Sequence, residues 1–190
     1  MKQHGERLIS GWVDRQARVL DLGCGNGSLL SELADSKQVF GYGVELDADA
    51  VVSCIESGVP VIQADIEHGL PMFADGSFDT VLLLSTLQEL GSPAAMLKAM
   101  LRVGKRAVVT FANAGHWRRR GEFIAGRIGG TENVTGDRLL RLISITDFES
   151  MCSRLGLHIE RRTCLNAAGR PVAAGMFAEL AAYMLVGGRD

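Results

Sequence analysis

Short apolar runs alternate with amphipathic stretches along this chain, which is the pattern of an α/β protein. Residues 78–84 are almost continuously apolar, as expected for a central strand of a parallel sheet. Between such runs, apolar residues recur three or four positions apart, which is typical of helices with one buried face. The pattern therefore predicts a mostly parallel sheet covered by helices. The predicted strands are 19–22, 38–44, 59–63, 78–84, 105–111, 157–165 and 177–186.

One helix has clear signals at both of its ends. Asp47 lies at its predicted start, where an acidic side chain complements the helix dipole. Gly58 follows it at the position where glycine commonly ends a helix. The apolar residues predicted to face the core are Val51, Val52 and Ile55.

Two further helices and one loop are predicted nearer the carboxyl terminus. Ser92 and Pro93 begin a helix that continues to Val103, since proline is favoured at the first helical position. Thr146 and Glu149 have the spacing of a capping box at the start of another helix, which we expect to run through residue 155. Residues 129–136 are predicted to form a loop.

A glycine-rich turn follows the first strand and precedes the first amphipathic run. Gly23, Gly25 and Gly27 can adopt positive φ at little cost, and they let a ligand approach the bare backbone. The following helix start adds unpaired N–H donors. The next strand ends in Glu45, whose two carboxylate oxygens suit the hydroxyls of a ribose. Turn and carboxylate together predict a nucleoside-type ligand, the alternative being an empty turn beside a surface glutamate.

The glycine spacing narrows the class of nucleoside ligand. The dinucleotide fingerprint is G-x-G-x-x-G, whereas these glycines fall as G-x-G-x-G. A chain of 190 residues is also too short for two mononucleotide halves and a substrate region. A P-loop is excluded because no Gly-Lys-Ser/Thr follows the turn.

The strings DLGCGNG and VELD resemble motifs I and II of class I S-adenosylmethionine-dependent methyltransferases. The resemblance implies a Rossmann-like three-layer sandwich whose seven-stranded, mostly parallel sheet has an antiparallel last strand. It also implies that S-adenosylmethionine is the cofactor. Asp65 would receive the adenine amino group, with Ile66 against the ring, although an Asp here could instead cap a turn. The implied cofactor-binding residues are Asp21, Gly23, Gly25, Gly27, Glu45, Leu46, Asp65, Ile66 and Leu84.

A rarer string, N-x-G-H-W-x-x-R from Asn113, resembles the MetW family of methionine-biosynthesis proteins, as do LRVG (101–104) and ITDFE (145–149). The resemblance implies an accessory or regulatory partner of a homoserine O-acyltransferase. The alternative is a methyltransferase acting on a small-molecule acceptor. The sequence departs from the MetW pattern at residues 129–141, where aromatic and Pro-Asn-His features are missing.

Methyl transfer from a sulfonium is an in-line displacement that requires positioning more than a dedicated catalytic side chain. Asn113 and His116 are the candidate catalytic residues, since they follow the fifth strand at the carboxyl edge of the predicted sheet. His116 could act as a base or contact a partner; alternatively it stabilises a turn.

The composition fits one globular domain spanning residues 1–190, with 47% hydrophobic residues and a net charge of −2. This charge gives no general attraction to nucleic acid or anionic membranes, so we expect neither as a partner. The N-terminus lacks an apolar signal segment, and four scattered cysteines are typical of reduced thiols. We therefore expect a cytoplasmic protein without a metal site.

Overall fold

A computed structural model describes residues 8–68, 70–116, 132–135, 138–173 and 175–188, with backbone alone for 132–135 and 138–141. Residues 8–10 are helical. No helix in these ranges is long and apolar enough to cross a lipid bilayer. The other α-helices are α1 (Ser28–Lys37), α2 (Ala48–Glu56), α3 (Pro93–Val103) and α4 (Ile145–Arg154). The strands are β1 (Arg18–Leu22), β2 (Phe40–Glu45), β3 (Val61–Gln63), β4 (Phe78–Leu84), β5 (Gly104–Ala112), β6 (Glu132–Thr135), β7 (Arg138–Arg141), β8 (His158–Leu165) and β9 (Leu180–Val186).

Seven of these strands form one sheet in the order β3-β2-β1-β4-β5-β9-β8. The first five strands of the chain run parallel, and β9 pairs antiparallel with both β5 and β8. The predicted seven-stranded sheet with an antiparallel last strand is therefore confirmed. The strand order reverses between β1 and β4, and ligands of open α/β sheets bind outside the carboxyl ends of strands at such a switch point.

The sheet separates two hydrophobic clusters, because successive side chains of a strand point to opposite faces. Leu20 and Leu22 of β1 pack with residues of α3 and α4 on one face. Val19 packs on the other face with residues of α1 and α2 and with Ile9. Helices thus cover both faces, and the three-layer sandwich is confirmed.

Helix α2 begins and ends as predicted but presents a different face to the core. The Asp47 side chain accepts a hydrogen bond from the backbone N–H of Ala50, and Gly58 has a φ of 72° just beyond the helix. The prediction that Val52 and Ile55 face inward is wrong, since they are 52% and 64% exposed. The fully buried residue is Cys54, because the glycine turn leaves room for a small side chain there.

The N-cap of helix α4 lies two residues before the predicted one. Ser144 is the N-cap, and it forms a capping box with Asp147. The prediction of Thr146 paired with Glu149 is wrong because Ser144 has the extended backbone of an N-cap, which places Thr146 inside the first turn of the helix. The predicted bounds of α3, from Pro93 to Val103, are confirmed.

The region between β5 and α4 contains a hairpin where a loop is predicted. Strands β6 and β7 pair antiparallel, so the loop prediction is wrong for residues 132–135. The backbone of β7 lies within 8 Å, between Cα atoms, of a 3-10 turn at Leu87–Glu89. The hairpin therefore lies beside the carboxyl end of β4.

Candidate functional site

The register of the parallel strands places the predicted site residues at one edge of the sheet. Leu22 at the end of β1 lies opposite Val44 of β2 and Leu83 of β4. Glu45 at the end of β2 lies opposite Gln63 of β3. The segments that follow these four strands consequently start side by side.

The turn after β1 has the left-handed backbone that its glycines allow. The φ angles of Gly23, Gly25 and Gly27 are 75°, 57° and 74°. A side chain at Gly23 would also place its Cβ 2.9 Å from Oγ1 of Thr86, which follows β4. The backbone N–H of Gly23 donates to the carbonyl of Val44 at 2.8 Å, so β2 holds the start of the turn. These contacts hold a turn whose backbone is bare at its three glycines.

Glu45 lies against this turn. Its Oε2 atom accepts a hydrogen bond from the backbone N–H of Gly25 at 2.8 Å. Its Oε1 atom accepts from the N–H groups of Leu46 and Asp47, at 2.8 and 3.1 Å. A carboxylate has about four lone-pair positions, so this one is fixed in place and still has acceptor capacity. The structure thus brings together the two features that the sequence predicts to share a nucleoside.

Asp65 and Ile66 follow β3 next to Glu45. The backbone N–H of Ala64 donates to the Glu45 carbonyl at 3.0 Å. Oδ1 of Asp65 accepts from the backbone N–H of Glu67 at 2.8 Å, so this side chain does stabilise a turn. Its other carboxylate oxygen lies 3.8 Å from Nδ1 of His68. Ile66 is only 9% exposed, so most of its side chain packs in the hydrophobic core and little of it faces solvent.

The other predicted cofactor-binding residues differ in their access to solvent. Asp21 is 3% exposed and lies within β1, opposite Gly43 and Leu82. Leu46 is 43% exposed directly after Glu45, whereas Leu84 is half-buried at the end of β4. Leu46 is thus exposed beside Glu45, whereas Asp21 is buried in the strand that precedes the turn.

The segment after β4 carries backbone strain that no sequence signal predicts. Ser85 is exposed and has a φ of 62°, a left-handed conformation that is uncommon for residues other than glycine. Its N–H donates to the carbonyl oxygen of Thr110 on β5, at 3.0 Å. The side chain of Gln88 meets the backbone N–H and carbonyl of Ala112 at 3.4 Å each. Strain of this kind concentrates at functional sites, and here it lies beside the glycine turn.

The Asn113 side chain is used entirely within the protein. It is 1% exposed, and its Nδ2 donates to the carbonyls of Gly175 and Ala178 at 2.7 and 2.9 Å. Its Oδ1 accepts from the N–H groups of Gly115 and Ile145 at 3.0 and 3.3 Å. Asn113 therefore ties the end of β5 to the start of α4 and to the segment before β9.

His116 is also withdrawn from the surface. It is 7% exposed, and its Nε2 lies 3.9 Å from Oε1 of Glu179. Its backbone N–H donates to the carbonyl of Asn113 at 3.3 Å, which closes a tight turn. Residues 117–131, which include Trp117 and Arg120 of the N-x-G-H-W-x-x-R string, lie outside the described residues.

The match to known families agrees with this geometry. The family described as methionine biosynthesis protein MetW matches residues 3–185. The chain belongs to the MetW family. Among relatives, it is 38% identical over 127 residues to the bifunctional methionine biosynthesis protein MetXA/MetW of Rhodopirellula baltica, covering 63% of this chain and 20% of that one. The MetW resemblance drawn from the sequence is thereby confirmed.

Methyltransferases also resemble this MetW protein. A ubiquinone biosynthesis O-methyltransferase of Paracidovorax citrulli is 33% identical over 110 residues, which cover 52% of this chain and 45% of the relative. A SAM-dependent methyltransferase of Thermotoga maritima superposes with a TM-score of 0.71 at 17% identity, covering 97% and 89% of the two chains. This last likeness shows the fold alone. The chain spans less than half the length of both sequence relatives.

Proposed function

We propose that this MetW protein binds S-adenosylmethionine between the glycine turn and Glu45, and that it acts as an accessory or regulatory partner of a homoserine O-acyltransferase. The observation that carries the ligand assignment is the contact between Gly25 and Glu45. This contact holds a carboxylate, which can still accept hydrogen bonds, beside a turn whose backbone is bare at its three glycines. Ribose hydroxyls are donors, so this pairing suits the nucleoside half of the ligand.

Each end of the ligand has candidate contacts on this chain. The turn from Gly23 to Gly27 would face the methionine half, and Glu45 would accept from the ribose. Asp65 and Leu46 would flank the adenine, because they follow the ends of β3 and β2. When bound, S-adenosylmethionine supplies an activated methyl group on a sulfonium centre.

The surroundings of the two catalytic candidates argue against either side chain acting as a general base. Asn113 uses all four hydrogen-bonding positions of its side chain within the protein. His116 is buried beside Glu179. A general base must reach the proton it removes, and these placements keep both side chains from an acceptor. The β6–β7 hairpin lies beside the turn at Leu87–Glu89, at the carboxyl end of β4.

The acyltransferase partner is supported by the relative whose name joins MetXA and MetW in one bifunctional protein. Two activities fused in one chain in one organism are commonly partners when encoded apart. The MetW resemblance implies that this partner is a homoserine O-acyltransferase. S-adenosylmethionine is the pathway's end product, so binding it would let this protein report methionine supply to an early enzyme.

Methyl transfer to a small molecule is the second candidate. It is favoured by the similarity to ubiquinone biosynthesis O-methyltransferases, which covers about half of this chain. Under this candidate the same cofactor residues apply, and the acceptor would enter beside the strained Ser85 at the end of β4.

The deciding experiment measures acyl transfer to homoserine by a purified acyltransferase from the same organism, with and without this protein and S-adenosylmethionine. We expect the acyltransferase rate to change with added protein, and the change to depend on S-adenosylmethionine for the wild type and not for Glu45→Ala. Glu32→Ala, an exposed glutamate of α1, is the matched control. Unchanged acyltransferase kinetics, together with S-adenosylhomocysteine release in the presence of a metabolite acceptor, would favour the methyltransferase instead.

A further inference from the structure

Two cysteine side chains meet beneath the glycine turn. Cys24 lies within the turn and Cys54 lies on α2, and their Sγ atoms are 3.9 Å apart. Cys24 is 9% exposed and Cys54 is fully buried. The Cys54 thiol donates to the carbonyl of Gly25 at 3.1 Å. A pair of free thiols therefore supports the part of the backbone proposed to contact the ligand.

Two glycines make room for this pair of sulfur atoms. A Cβ at Gly43 on β2 would lie 2.5 Å from Sγ of Cys24, and a Cβ at Gly27 would lie 2.9 Å from Sγ of Cys54. Any larger residue at either position would displace a sulfur atom. The two thiols thus occupy a confined site between the turn, β2 and α2, where their main freedom is rotation about their own Cα–Cβ bonds.

We propose that Cys24 and Cys54 are a modification site: a peroxide converts them to a reversible disulfide that weakens ligand binding at the glycine turn. The effect on the ligand depends on the proposed function, whereas formation of the disulfide does not. Closing the bond brings the sulfur atoms from 3.9 Å to about 2 Å.

Forming one disulfide consumes one peroxide molecule. The Cys24 sulfur, which is the more exposed of the two, attacks a peroxide oxygen, giving a sulfenic acid and releasing water or an alcohol. The Cys54 sulfur then attacks the Cys24 sulfur, the S–S bond forms, and the sulfenic oxygen leaves as water. The two thiols lose two protons and two electrons in total, and the O–O bond of the peroxide is reduced. A dithiol reductant reverses the modification.

Burial controls how readily the two thiols are oxidised. Burial raises the pKa of both thiols, and the nearby carboxylates of Asp21 and Glu45 raise it further. The thiolate is the reactive form, so little of it is present at neutral pH and oxidation is slow. The pair would therefore resist brief exposure to peroxide and respond to a sustained oxidising load.

The cysteine pair is connected to the proposed ligand site through one residue, Gly25. Closing the disulfide removes the hydrogen bond from Cys54 to the Gly25 carbonyl. The N–H of the same residue, Gly25, holds Glu45. The peptide groups on either side of Gly25 are thus tied to Cys54 and to Glu45, and a shift of the turn toward α2 changes where Glu45 is held.

To test this, the reduced wild-type protein is treated with excess hydrogen peroxide at pH 8, and its disulfides are mapped by mass spectrometry of tryptic peptides. Calorimetry measures S-adenosylmethionine binding before oxidation, after oxidation, and after reduction with dithiothreitol. We expect a Cys24–Cys54 cross-link, a loss of affinity of about tenfold or more, and recovery on reduction. Cys24→Ser and Cys54→Ser should keep their affinity through the treatment. Cys152→Ser, which removes a buried thiol elsewhere, should behave as wild type.

Three outcomes would overturn the proposal. One is that no peptide joining Cys24 to Cys54 forms after prolonged oxidation of the wild type, a result that depends on no variant folding. Another is a cross-link that leaves affinity unchanged. If the reduced wild type does not bind S-adenosylmethionine, the proposed function fails and the ligand half of this proposal fails with it, while the peptide map still decides whether the disulfide forms.

Discussion

The backbone N–H of Gly25 donates a hydrogen bond of 2.8 Å to Oε2 of Glu45, although the two residues are twenty positions apart in the chain. The contact joins the turn after β1 to the end of β2 across neighbouring strands. It fixes the carboxylate before any ligand arrives, so little side-chain ordering remains to be paid on binding. The proposed ligand site, and the proposed effect of the disulfide on that site, depend on this arrangement.

Gly43→Ala should destabilise the protein by about 1–3 kcal/mol, because its new Cβ would lie 2.5 Å from Sγ of Cys24. Gly187→Ala is the control, since a Cβ at that position has no atom within 4 Å. Urea denaturation of both variants measures the difference. Adding Cys24→Ala to Gly43→Ala should recover part of the loss. Equal urea midpoints for Gly43→Ala and wild type would contradict the close packing of Cys24 against Gly43.

Asn113→Ala should lower the free energy of unfolding by about 2–4 kcal/mol, because four buried backbone groups lose their partner. Asn166→Ala, which removes an acceptor from a surface turn, should cost much less. Chemical denaturation compares the two variants. Where Asn113→Ala remains folded, its affinity for S-adenosylmethionine should equal that of the wild type. Full stability combined with lost affinity would instead make Asn113 a ligand-binding residue.

Ser144→Ala should destabilise α4 by about 1 kcal/mol, because it removes the side chain that caps the helix. Thr146→Ala is the matched control, since Thr146 lies inside the helix and not at its cap. Thermal denaturation followed by circular dichroism should rank Ser144→Ala below Thr146→Ala. The opposite ranking would restore the capping box that the sequence alone suggested.

Asp79→Asn should lower stability in a way that depends on pH. The hydrogen bond from Lys105 lowers the pKa of the Asp79 carboxyl, with help from the backbone N–H of Arg18. A group whose pKa is lower in the folded state stabilises the protein above its unfolded pKa, near ~3.9 for Asp, and loses that contribution as the pH falls through the folded value. Urea denaturation at pH 7 and pH 3 should show the difference between variant and wild type shrinking in acid. A difference of the same size at both pH values would rule out this ion pair as its cause.

The sequence was sufficient to predict that the glycine turn and Glu45 lie together at one edge of the sheet, because the signals for both are local. Glycines that need positive φ, a carboxylate that ends the next strand and apolar strands of defined length all lie within a few residues of the features they specify. The same is true of the start of α3 at Ser92 and Pro93.

Other features depend on which surfaces pack together, and the sequence does not encode that locally. Val52 and Ile55 form an apolar stripe that fits a buried helix face as well as the stripe containing Cys54 does. Only packing against the glycine turn decides between them. Cys24 and Cys54 are thirty residues apart, and their contact exists because α2 lies under the turn. The left-handed Ser85 likewise reflects its hydrogen bonds to Thr110 rather than its own preference.

Calorimetric titration of the reduced protein with S-adenosylmethionine measures the proposed binding itself. We expect saturable binding to the wild type, weakened about 10- to 100-fold by Glu45→Ala through loss of a charged hydrogen bond. Glu32→Ala should bind like the wild type, and melting curves should show that every variant is folded. No binding to the wild type, or the same dissociation constant for wild type and a folded Glu45→Ala, would contradict it.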